Sequence, residues 1–115
     1  MSFFTEQLGQ AKTVGVKLTT TSSTEIYASA ANRRASLKSL SICEISGGAT
    51  TIDVSVSDGT TTWYIYKGMA VAANQTILLT EHNIPLLSGW TLDAQAGDAN
   101  QIDLVAVLAE ITGLQ

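Results

Sequence analysis

The sequence predicts an all-β protein: an antiparallel β-sandwich of seven or eight short strands, compatible with jelly-roll-like connections, behind a short non-strand N-terminal arm. Three observations carry this. Past residue 12, short β-like runs alternate with turn signals at nearly regular intervals, the rhythm of a sandwich or barrel. Fifteen threonines and eleven serines among 115 residues give the chain a hydroxyl-rich surface more typical of β proteins than of helical ones. Residues 51–57 alternate strictly, with Ile52, Val54 and Val56 set against Asp53 and Ser55, so one face is buried and one is wet. The length fits one domain, assigned to residues 13–115 behind an arm of residues 1–12. A chain of this size hides roughly two-thirds of its extended surface, enough for a core without disulfides or metal.

The elements follow in order. Residues 14–20 and 24–30 form the first two strands, and Ala31-Asn32-Arg33-Arg34 makes the first turn. A third strand spans about residues 35–45 and ends at Gly47-Gly48, where positive φ costs little. After the alternating strand 51–57, Asp58-Gly59 is the strongest hairpin signal in the chain, so the run 61–67 pairs with its predecessor. Residues 68–74 are small and apolar and read as a connector leading to the strand 76–80. Pro85 lacks a ladder donor and is excluded from a central strand. Strand 90–96 then turns through Gly97-Asp98-Ala99-Asn100 into residues 102–111. Leu104, Val105, Ala106, Val107, Leu108 and Ala109 put apolar side chains on both faces of that last run. It is either central in the core or covered by another subunit. In the arm, Phe3, Phe4 and Leu8 share one face of a single helical turn, with Ser2 as its cap.

Composition also excludes functions. Six basic residues against ten acidic ones, net charge −4, disfavour nucleic acid as a partner. The charge is uneven: residues 1–40 carry +3 and residues 41–115 carry −7, so copies attract head to tail where screening allows. Cys43 is the only cysteine, so no internal disulfide forms; a buried, inert thiol and synthesis in a reducing compartment are expected. No apolar stretch approaches a spanning helix and the first ten residues lack a secretory pattern, so no membrane is expected. His82 is the only imidazole, and no Gly-x-Ser-x-Gly elbow, zinc-ligand set, Walker loop or dinucleotide fingerprint is present. The chain therefore reads as a non-enzyme without cofactor or metal. Asp98, Asn100 and Asp103, and Asp53 with Asp58, are the residues best suited to calcium, but Asp and Asn populate turns for backbone reasons alone. Trp63, Tyr64, Tyr66 and Trp90 suit a sugar-stacking platform, although aromatics in sandwiches are more often core or interface. Strict alternation places Trp63 and Ile65 on one side and Tyr64 and Tyr66 on the other.

From Thr24 onward the order of features resembles that of small bacteriophage virion proteins of β-sandwich type. The matching pieces are Glu25-Ile26-Tyr27 before Asn32-Arg33-Arg34, then Leu40-Ser41-Ile42-Cys43-Glu44, then the turn Ser46-Gly47-Gly48. They continue through Val54-Ser55-Val56-Ser57-Asp58-Gly59, Tyr64-Ile65-Tyr66, Ala73-Asn74-Gln75-Thr76 and Gly89-Trp90-Thr91-Leu92. The last of these carries Trp90 where the pattern has Asp. The resemblance implies a non-enzymatic subunit present in many copies, most simply a capsid decoration or cement protein. Neck, tail or fibre components and a sugar- or receptor-binding module are the alternatives. It further implies location in the virion after synthesis in the host cytoplasm, binding to a major capsid or neck/tail protein, and homo-oligomers, with a trimer favoured. No catalytic residue is carried over. The candidate contact residues are Phe3, Phe4, Leu8, Arg33, Arg34, Tyr64, Tyr66, Val105 and Val107.

Overall fold

The computed structural model describes residues 10–31, 33–80 and 84–112. Their regular structure is entirely strand: β1 (Gln10–Leu18), β2 (Thr24–Ala28), β3 (Arg33–Glu44), β4 (Thr50–Ser57), β5 (Thr62–Val71), β6 (Thr76–Leu79), β7 (Ile84–Leu86), β8 (Thr91–Ala96) and β9 (Ile102–Thr112). One sheet runs β1-β9-β3-β6, with the short β7 also pairing β3, and the other runs β2-β8-β4-β5. All pairings are antiparallel. The chain crosses repeatedly between the sheets and stays within one only from β4 to β5 and from β6 to β7. This winding is that of a double-sheet jelly roll.

The core lies between the sheets. Ile102, Leu104, Ala106 and Leu108 of β9 are at most 1% exposed and meet Ile52, Val54 and Leu92 of the opposite sheet in one apolar cluster. On β3, Leu37 and Leu40 both belong to this core although they are three positions apart, which strict alternation forbids. A register shift between Leu37 and Ser39 absorbs the extra residue, leaving Leu37, Leu40 and Ile42 all buried.

Five features differ from the sequence expectation. Strand β3 starts at Arg33, inside the expected turn, because Thr112 and Ile111 of β9 pair with Arg33 and Arg34. The described residues form nine strands, the additional short one being β7; its Pro85 sits opposite Ser36 on an outer edge of β3, where the missing N–H is tolerated. Strand β1 starts at Gln10 rather than after the expected arm of residues 1–12, because β9 offers ladder partners to residues 10–12. Strand β2 ends at Ala28, and the Ser29 amide instead donates to the Trp90 carbonyl at 2.8 Å. Strand β5 continues to Val71 through the presumed connector, since Thr50, Thr51 and Ile52 pair with Val71, Ala70 and Met69. Gly68, at φ +62°, takes up a bulge there, and its N–H donates to the Asp53 carboxylate at 2.6 Å.

Candidate functional site

The two sheets present outward faces of different character. Cross-strand pairing aligns Gly15, Val105, Ser41 and Leu78 in one row across β1, β9, β3 and β6. Val105 is 40% and Leu78 62% exposed, and the space above Gly15 is open. The next rows hold Thr13, Val107 and Ser39 on one side and Lys17, Asp103, Cys43 and Thr76 on the other. Lys17 Nζ donates to Asp103 at 3.0 Å on this surface. The result is a sheet face of small hydroxyls and aliphatic side chains bearing little charge. Of the two expectations for the last run, centrality holds: β9 lies between β1 and β3. Its outward side chains Val105 and Val107 are respectively exposed and half-buried in the single chain. Cys43 is half-buried on the outward face rather than buried in the core, because Ile42 and Glu44 take the inward positions.

The face of β2-β8-β4-β5 is polar and hollowed. Its central row is Glu25, Asp93, Ser55 and Tyr64, one residue from each strand. Beside it lie Gln95 with Asp53, and Thr91 with Ser57 and Thr62. All of these except Glu25 line a groove of about 250 Å³. Asp53 is anchored by the Gly68 amide and by Lys67, whose ammonium lies 3.3 Å from its carboxylate and 4.5 Å from the centre of the Tyr64 ring. The hydrogen bond to Asp53 holds the Lys67 pKa above its ordinary value.

The aromatic residues separate differently from strict alternation. A second register shift, between Val54 and Ser55, places Tyr66 opposite inward-facing Val54 and Tyr64 opposite outward-facing Ser55. Ile65 and Tyr66 therefore both pack on the core, while Tyr64 is 52% exposed. Trp63 stacks on Trp90, with ring centroids 5.2 Å apart and planes 19° from parallel. Trp90 in turn packs on the core, so of the four aromatics only Tyr64 lines the groove.

The remaining candidates are distributed as follows. Arg33 and Arg34 are exposed at the start of β3, opposite Thr112 and Ile111, at the end of the sheet where β1 begins. Phe3, Phe4, Leu8 and His82 lie outside the described residues. The acidic residues considered for calcium have protein donors: Asp98 accepts from Thr50 Oγ1 at 2.7 Å, Asp103 from Lys17, Asp53 as above, and Asp58 from the amides of Thr60 and Thr61. Among the described residues no group of three metal-ligating side chains converges.

Two buried polar constructions escaped the sequence reading. Glu44, 1% exposed, accepts hydrogen bonds from Asn74 N (3.0 Å), Ser46 N (3.0 Å), Ser46 Oγ (2.5 Å) and Gly47 N (2.9 Å). With its amide nitrogen turned to the carboxylate, Gln101 adds a donor at 3.2 Å. Burial pushes the Glu44 pKa up, but these donors outweigh it and hold the carboxyl at about 2. One carboxylate thus ties together the β3–β4 turn, the β5–β6 turn and the entry to β9. The available signal was an acidic residue just before Ser46-Gly47-Gly48. At the other end of the molecule, buried Tyr27 donates to Glu110 at 2.5 Å, joining the two sheets. Burial, followed by that hydrogen bond, raises the Tyr27 pKa.

No protein family matches the chain. No curated protein matches it either. Solved structures do share the fold. A pentameric capsid protein isolated from metagenomic phage sequences aligns at 21% identity and TM-score 0.50, over 89% of this chain and 62% of its own. The structure of infectious bursal disease virus, Gx strain, aligns at 11% identity and TM-score 0.51, over 92% of this chain and 34% of the viral one. The Gt strain gives 12% and 0.50, over 91% and 33%. The chain therefore has a β-sandwich fold found in phage and viral capsid proteins, and it spans from about a third to about three-fifths of the length of the chains it matches.

Proposed function

We propose that this protein is a non-enzymatic structural subunit of a bacteriophage virion, acting as a capsid decoration or cement protein that self-associates and binds a neighbouring capsid protein. The observation that carries this reading is the jelly-roll sandwich with an open, weakly charged outward face on β1-β9-β3-β6. Fold likeness to a pentameric phage capsid protein supports it, as does the residue pattern resembling small virion proteins. That face, around Val105 and Val107, is the self-contact surface. Arg33 and Arg34, with Phe3, Phe4 and Leu8, are the contact to the capsid. The aromatic residues supply most of that affinity, since fully burying a phenylalanine is worth roughly 2–3 kcal/mol, and the arginines guide docking in a salt-sensitive way.

The resemblance favours a trimer, whereas the pentameric neighbour points to a ring of five; native mass spectrometry distinguishes them. A neck, tail or fibre position uses the same contacts at a different copy number. The functional test is quantitative mass spectrometry of purified particles from a phage encoding the chain. A fixed copy number relative to the major capsid protein is expected, and absence from particles refutes the proposal.

A further inference from the structure

We infer that the groove on the outward face of β2-β8-β4-β5 is a binding site for a neutral saccharide, one hexopyranose or N-acetylhexosamine ring at a time. This inference is independent of the assembly role, which uses the opposite sheet. Its basis is the combination of groups along one cross-strand row. Ser55 lines the groove, and its hydroxyl has no side-chain hydrogen bond among the described residues. No buried side-chain polar atom among those residues lacks a partner, so this hydroxyl opens onto the groove and is available to a ligand or to water. Beside it, Asp93 uses one carboxylate oxygen to accept from Thr91 Oγ1 at 2.8 Å and keeps the other for a ligand. Gln95 donates its amide nitrogen to the Thr21 carbonyl at 2.9 Å, which fixes the side chain and leaves its carbonyl oxygen available.

The remaining wall is Tyr64. Lys67 occupies one face of its ring and is itself held by Asp53, so the ring is positioned before any ligand arrives. An aromatic surface beside a carboxylate, a hydroxyl and an amide matches a sugar ring, which has an apolar C–H face and hydroxyls that both donate and accept. The volume, about 250 Å³, lies just below the roughly 300–1,000 Å³ of sites for drug-sized ligands and suits a single ring. Charge selects further. Asp53, Asp93 and Glu25 stand on this face with Lys67 as counter-charge, so sialylated or uronic sugars and phosphates are disfavoured.

The test is a ¹⁵N-¹H NMR titration of the full chain with N-acetylglucosamine, glucose, galactose and mannose, and with sialyllactose as the anionic control. At least one neutral sugar should bind with millimolar affinity and shift the amides of Asp53, Ser55, Tyr64, Asp93 and Gln95. Tyr64→Ala and Asp93→Asn, both on the outward face, should each weaken that binding about tenfold while leaving the melting temperature nearly unchanged. The inference is overturned if no neutral sugar shifts the groove amides, if the shifts cluster elsewhere, if both variants bind like the parent, or if sialyllactose binds best.

Discussion

Leu104 and Val105 are chain neighbours on the central strand β9 and point in opposite directions, so a pair of substitutions separates core from contact face. Leu104 is 1% exposed and lies between Val16 and Ile42 on the inward side. Leu104→Ala removes buried methyl groups and leaves a cavity, a loss of about 2–5 kcal/mol. Unfolding entropy near 60 °C is about 2.1 cal/mol/K per residue, so each kcal/mol lowers the Tm of a chain this long by roughly 4 °C. The expected drop is roughly 8–20 °C. Val105, 40% exposed, gives up about 1 kcal/mol of burial when replaced by Asp, with up to about 1 kcal/mol more for strand propensity. Val105→Asp should therefore cost the single chain only about 1–2 kcal/mol, roughly 4–8 °C, while a new carboxylate on the proposed contact face should break self-association. Thermal melts followed by circular dichroism, run on dilute monomer because association couples Tm to concentration, should be paired with native mass spectrometry. If Val105→Asp destabilises the monomer as much as Leu104→Ala, the outward assignment is wrong. If it folds and retains the parent's oligomeric mass, this face is not the self-contact.

Three further outcomes follow from the buried polar groups and the β5 bulge. The folded pKa of Glu44 lies below its ordinary 4.5, at about 2, so its contribution is fully present above pH 4.5 and lost as pH falls toward 2. Glu44→Gln should melt well below the parent at pH 7 and converge with it near pH 2, and parallel pH–Tm curves would contradict this. Tyr27→Phe leaves Glu110 without its donor and should cost about 1.5 kcal/mol in urea unfolding at pH 7, an effect that disappears in a Glu110→Ala background, where the acceptor is gone. Gly68→Ala has open space for its methyl group, but φ is +62°; a loss of about 1 kcal/mol by the same assay is expected, and a gain would place the strain elsewhere.

The fold was largely legible because its strongest signals are local. The alternation of Ile52, Val54 and Val56 and the Asp58-Gly59 turn each specify an element within a few residues, and β4 and β5 pair as expected. Bulges were not legible, because an inserted residue changes the facing of everything beyond it without altering composition. That is why Tyr66 turns to the core while Tyr64 stays on the surface, and why Leu37 and Leu40 share a face. The groove was illegible for a related reason. Glu25, Asp93, Ser55 and Tyr64 come from four strands, and only the ladder registers bring them into one row. Glu44 was hidden by its position in a strand, since its partners Asn74 and Gln101 lie in distant turns.

The most direct test of the structural role is cryo-electron microscopy of the intact particle from a phage that encodes this chain. Repeated jelly-roll density is expected on the capsid, with the β1-β9-β3-β6 face buried against a symmetry-related copy and Val105 inside that contact. Density in which this sheet faces solvent in every copy, or particles lacking the protein altogether, would contradict it.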